Sequence, residues 1–204
     1  GPVNLSALAP TFLEAAGLKV PGMMTANGLL DVIENEPKSA RLAAFIAMER
    51  HDGCRKGGKG YPCRAIRTKD YMYILNHKPD RWPAGNPDRE FCARYIPFGE
   101  VDSSPTKSLL MDNKGKPGFK RFYDLAFAKR PAEELYDLKK DPGQIENVAG
   151  KPEYAAIQRN LGAQLKNRLR QTKDPRALGL DAPWDYYPYY GAMRNKDWAV
   201  DPKP

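Results

Sequence analysis

Along "NLSALAPTFLEAAGLKVP", Leu5, Leu8, Phe12, Leu13 and Ala16 recur at helical spacing. The pattern predicts a short buried helix, capped by Ser6 at its start and closed by Gly17. "TANGLLDVIENEP" reads as a loop with one helical turn before Pro37. "RLAAFIAME" is a short apolar run bounded by turn-rich sequence, which predicts a core strand. In "CRAIRTKDYMYILNHK" two β-rich runs flank Lys69-Asp70, the pattern of a hairpin. Residues 77–118 are rich in Pro, Gly, Asp and Asn and read as a long irregular segment, packed through Trp82, Phe91, Tyr95 and Phe98. "EELYDL" predicts a further strand. From Pro152 to Thr172, Tyr154, Ile157, Leu161, Leu165 and Leu169 draw one apolar stripe along a helix. The aromatic, Pro-punctuated stretch that follows reads as a tail wrapping a surface. Strands with helices at the ends imply an α+β fold, a small antiparallel β-sheet packed with a C-terminal helix.

Charge adds the next constraint. Over 204 residues, 33 Lys and Arg face 25 Asp and Glu, a formal net charge of +8. Such a balance favours anionic partners: nucleic acid, acidic lipid or sulfated polysaccharide. No apolar run approaches the roughly 20 residues of a membrane span. Cys54, Cys63 and Cys92 make an odd count without C-x-x-C spacing. Neither a zinc knuckle nor a thioredoxin-like pair is supported, and the pairing of any two of them stays open.

The densest chemistry lies in "MERHDGCRKGGKGYPCRAIRT", residues 48–68. His51, Asp52, Cys54 and Glu49 are neighbours, but His51 and His77 are the two histidines of the whole chain and the spacing suits no metal site. "GGKG" lacks the G-x-x-x-x-G-K-[ST] of a phosphate loop. Arg50, Arg55, Lys56, Lys59, Arg64 and Arg67 beside Tyr61, Tyr71 and Tyr73 could stack bases and neutralise phosphates. Acidic residues are spread throughout, however, and the lack of any module motif argues against nucleic acid.

Several blocks share one resemblance. "VNLSALAPTFLEAAGLKVP" is similar to the segment closing the large domain of sulfatases, and "AEELYDLKKDPGQIENVAGKPEY" resembles their C-terminal signature. "ERH", "GYPCRAIRTKDYMYILN", "PDRWPAG" and "SPTK" look like a sulfamidase-type, heparan N-sulfatase-like subgroup. These blocks follow the family's order over most of residues 3–176. Ala7 stands where the first motif usually has Asp, and Gln144 and Ile145 loosen the second. "CRAIR" fits the minimal C-x-[PA]-x-R pattern of the cysteine that becomes formylglycine, yet it runs into a strand where the family's nucleophile opens a helix.

The resemblance implies the C-terminal part of an alkaline-phosphatase-like enzyme that hydrolyses a sulfate ester or sulfamate on a glycosaminoglycan-type sugar. Residues 1–40 then end the large α/β domain with its last helix, 41–172 form the C-terminal subdomain and 173–204 the tail. Calcium and formylglycine belong, in this reading, to an upstream domain, the partner of the present chain, which carries no catalytic residue or metal ligand. A periplasmic, secreted or lysosomal location is implied too. His51, Arg55, Arg50 and Arg64 are the expected substrate-binding residues: Arg matches sulfate or carboxylate bidentately, and His can hydrogen-bond sugar hydroxyls. Lys56 and Lys59 read as solvated, and Glu133 and Glu134 as structural. The alternatives are a stand-alone basic module for sulfated polysaccharide or nucleic acid, and a phosphodiesterase or phosphonate hydrolase of the same superfamily.

Overall fold

The computed structural model describes residues 1–34, 43–88 and 96–187. Its centre is a four-stranded antiparallel sheet in sequence order, β1 (Ala44–Met48), β2 (Cys63–Arg67), β3 (Tyr71–Asn76) and β4 (Glu133–Asp137). The fold class is the expected α+β. Lys69-Asp70 does make the β2–β3 turn: Thr68 donates its backbone N–H to Tyr71 O at 2.8 Å, and Tyr71 N–H returns a bond to Thr68 Oγ1 at 3.0 Å. The register sets Phe45, Ile66, Tyr73 and Leu135 side by side across the four strands. Over that row lies α5 (Ala155–Gln171), entered through a 3-10 turn at Pro152–Tyr154, and Leu161, Leu165 and Leu169 of its predicted stripe join Ile66, Tyr73 and Leu135 in the main core.

Three expectations need correction. The run around β1 is an edge strand rather than a core strand, with Ile46 and Met48 exposed, because one side of it lacks a neighbouring strand among the described residues. The first helix, α1 (Leu8–Ala15), follows a 3-10 turn at Leu5–Ala7 that begins after Asn4, with no side-chain cap from Ser6. It is also not buried as a whole: Ala7, Pro10 and Thr11 are covered, while Leu5 is 83% and Phe12 67% exposed. Gly17 does close it, at φ 68°, a conformation that costs glycine little. The single turn before Pro37 is α2 (Leu30–Ile33); Pro37 itself lies outside the described residues.

The third correction concerns the supposedly irregular segment. It contains α3 (Pro105–Asp112) and leads into α4 (Pro117–Phe127). Ser104 Oγ accepts from Lys107 N–H at 3.1 Å and Pro105 pre-sets the first helical φ, a cap already written in "SPTK". Phe98 and Phe127 stack at 4.7 Å, with Trp82, Tyr123, Leu110 and Met111 around them, forming a second small core. Trp82 and Phe98 thus pack as expected, whereas Phe91 and Tyr95 lie outside the described residues, as do Cys92 and positions 188–204 of the tail.

Candidate functional site

The loop between β1 and β2 is folded tightly by its glycines and by what packs beneath it. Tyr61 N–H bonds back to Glu49 O at 3.1 Å, drawing the two arms together. A Cβ on Gly60 would sit 2.9 Å from Arg50 N and from Glu49 C, so glycine is required at that crossing. Cys54 is fully buried. Above it passes the "WPAG" segment: Asn86 N–H donates to Cys54 O at 2.8 Å, and Glu100 N–H donates to Ala84 O at 3.1 Å. This second contact brings Glu100 to the loop.

Glu100 organises the exposed end. His51, whose side chain is 79% exposed, meets Glu100 Oε2 through Nδ1 at 2.9 Å, and Arg55 Nη1 donates to Glu100 Oε1 at 2.9 Å. Arg55 is only 3% exposed. Its Nε donates to Trp82 O at 2.7 Å and its Nη2 to Pro83 O at 2.6 Å, so the guanidinium faces inward and anchors the carboxylate. The chain of contacts from Arg55 through Glu100 to His51 fixes the imidazole at one nitrogen and leaves Nε2 for a partner outside. A carboxylate holding Nδ1 sets tautomer and ring orientation, the arrangement by which a histidine serves as a hydrogen-bonding or proton-transfer group.

The other two predicted residues lie elsewhere around the loop. Arg50 donates to Gly58 O at 3.1 Å and to Tyr187 O at 2.8 Å, tying the loop to the chain after α5. Arg64 is 2% exposed and bonds Asp174 Oδ2 at 2.8 Å, Glu49 Oε1 at 2.6 Å and the carbonyls of Met48 and Cys63. Glu49 in turn takes Arg176 Nε at 2.7 Å, and Arg176 also holds Asp185. This buried network clamps the base of the loop and residues 174–185 to the sheet. Burial pushes the Glu49 carboxyl up, but the hydrogen bonds and charges of Arg176 and Arg64 outweigh it and hold the group below its ordinary value. The structure therefore brings His51 and Arg55 together through Glu100, and places Arg64 in an internal ion pair. Glu100, Asp174, Arg176 and Asp185 escaped the sequence reading: the first three act across 45 to 127 residues, and Asp185 joins the network only through Arg176. Glu133 and Glu134 hold structural bonds, from Gln158 Nε2 at 2.6 Å and from Asn76 Nδ2 at 2.7 Å.

Over 159 residues, 78% of the chain, the sequence is 26% identical to an ulvan-active sulfatase of Formosa agariphila. The chain is similar to sulfatases along most of its length. An N-acetylglucosamine-6-O-sulfatase of Bacteroides thetaiotaomicron is 26% identical over 170 residues, 81% of the chain. The chain spans 27% and 21% of the lengths of these two sulfatases. A solved 2-O GAG sulfatase shares the fold over 91% of this chain and 30% of its own, with a TM-score of 0.51 and 21% identity. No family model matches.

The calcium and formylglycine of sulfatase chemistry do not fit the residues described here. No group of three or more His, Cys, Asp or Glu could hold a metal ion among the described residues. Cys63 opens β2 and pairs with Met48 and Asn76 inside the sheet, whereas the nucleophile of the resembled family opens a helix. No helix among the described residues is long and apolar enough to cross a membrane.

Proposed function

We propose that these residues are the C-terminal part of a sulfatase acting on sulfate ester or sulfamate groups of a glycosaminoglycan-type sugar, and that the loop carrying His51 walls its substrate pocket. The observation that carries the reading is the match to sulfatases along 78% of the chain at 27% of the relative's length. In this arrangement residues 1–40 end the large domain, 41–172 are the C-terminal subdomain and 173–204 the tail. The exposed Leu5, Phe12, Met23 and Ile33 support it, because apolar groups so open to water are suited to a face covered by more protein. Calcium and formylglycine would reside in the upstream domain, and the enzyme would work in the periplasm or outside the cell.

His51 is the sugar-facing group, offering Nε2 to a hydroxyl or a leaving-group atom. Glu100 and Arg55 hold it in place, while Arg50 and Arg64 shape the loop. The test compares the 204-residue chain with the full-length protein on a sulfated glucosamine substrate. The chain alone should give no turnover, and His51→Ala in the full-length protein should lower kcat/KM by roughly 10²-fold, the scale of a lost acid-base or transition-state hydrogen bond. Turnover by the chain alone would refute the partial-enzyme reading; unchanged kinetics in His51→Ala would remove His51 from the pocket.

A further inference from the structure

A concave surface lies beside the loop, where the chain after α5 returns past the end of β3. It is a cleft of about 620 Å³, within the roughly 300–1,000 Å³ common for small-ligand sites. Lys59, Lys78, Arg81 and Arg176 line it, against the carboxylates of Asp181 and Asp185. Arg176 and Asp185 are joined to each other at 2.7 Å, so neither sets the charge offered to a ligand. Lys78 and Arg81 do. Lys78 is exposed at the rim, and Arg81 commits Nη1 to Gly60 O at 2.8 Å, which aims a half-buried guanidinium without neutralising it.

His77 forms part of the wall of the cleft. Its Nε2 is buried beneath the surface and has no hydrogen-bond partner among the described residues, a cost in free energy that the fold carries. Burial, followed by the positive charge of Arg64, lowers its pKa and keeps the ring neutral. Tyr186 adds an aromatic surface to the same wall. A cationic pair and an aromatic ring are the recognition set for a sugar ring bearing an oxyanion.

We infer that this cleft is a carbohydrate subsite, taking a hexose unit that carries a sulfate or a carboxylate, with the oxyanion on Lys78 and Arg81 and the sugar ring against Tyr186. Once Arg176 and Asp185 pair, Lys78 and Arg81 outweigh the carboxylate of Asp181, and the anionic class follows from that balance; the sugar class rests on the sulfatase reading. Lys59, in the loop that also carries His51, links the two surfaces. A polymeric substrate could then engage both.

Calorimetric titration of the full-length protein tests this with three monosaccharides: glucuronic acid, glucosamine 6-sulfate and neutral N-acetylglucosamine. The two anionic sugars should bind and the neutral one at least tenfold more weakly, and comparing the two anions tells carboxylate from sulfate preference. Lys78→Ala and Arg81→Gln should each weaken anionic binding by roughly tenfold, the value of one charge-assisted contact. Lys120→Ala, on the exposed side of α4, should leave it unchanged and excludes a general effect of net charge. If Arg81→Gln fails to fold, Lys78→Ala decides, because its side chain is exposed and supports no described contact. Equal affinity in wild type and Lys78→Ala, or equal binding of the neutral sugar, overturns the inference. Glucuronic acid carries no sulfate, so the outcomes separate. Binding that depends on Lys78 without any sulfatase turnover sinks only the parent reaction, whereas turnover without such binding sinks only the cleft.

Discussion

Replacing Glu49 by glutamine tests how the base of the loop is held. Glu49 is 20% exposed and lies between Arg64 and Arg176, whose side chains are 2% and 7% exposed. Each guanidinium pair, at a separation near 4 Å between charge centres and an effective dielectric constant of about 20, has a gross attraction of about 4 kcal/mol. Much of that sum is offset by the desolvation that Glu49 no longer suffers once neutral. Arg64 also keeps Asp174 and two carbonyls, and Arg176 keeps Asp185. Breaking a buried pair outright costs roughly 3–5 kcal/mol, so with these partners remaining the expected loss is about 2–3 kcal/mol. For a protein of this size that lowers Tm by roughly 4–12 °C. Urea denaturation of wild type and Glu49→Gln measures it directly, and a loss below about 0.5 kcal/mol would refute the clamp. The same network fixes a pH dependence. Glu49 and Asp174 both titrate below their ordinary values of 4.5 and 3.8 in the folded chain, held there by Arg176 and Arg64 against burial. Their contribution is therefore complete above those ordinary values and is lost as pH falls through the lower folded ones. In Glu49→Gln the acid-induced loss of stability should be shallower than in wild type.

Two further substitutions probe the core and the loop. Leu165→Ala removes a fully buried side chain from the contact between α5 and the sheet and should cost about 2–5 kcal/mol by urea denaturation; a cost under 1 kcal/mol would mean that α5 does not seal the sheet. Gly60→Ala places a methyl group 2.9 Å from the backbone of Glu49 and Arg50, an overpacking worth about 1–3 kcal/mol; equal stability would show that the two arms of the loop do not cross so closely.

Much of the sheet was legible along the chain because its cues are local. Alternating β-rich runs around Lys69-Asp70 and the stripe from Tyr154 to Leu169 need only neighbours in sequence to declare themselves. The α5 helix formed where its stripe placed it because the same residues that give it period also bury it. Misreadings arose where local composition and tertiary surroundings diverge. "RLAAFIAME" is apolar enough for a core strand, yet its burial depends on what lies beside β1, and composition carries no such record. The Pro- and Gly-rich stretch up to residue 118 hid α3, whose start was signalled by Ser104-Pro105 and outweighed by the composition around it.

The candidate site divides in the same way. By itself the sequence determined that a glycine-jointed loop would offer His51 beside several arginines, and through its ordered motifs it pointed to sulfatases. Only the tertiary structure decided which of those side chains meet solvent. Arg55 turns inward because Trp82 O, Pro83 O and Glu100 satisfy its donors at 2.6–2.9 Å, and Arg64 does so because Asp174, 110 residues away in sequence, closes over it. A guanidinium goes where carboxylates and carbonyls converge. That convergence belongs to the fold, so Glu100's hold on His51 and the cleft around His77 could not be seen until distant segments had been brought together.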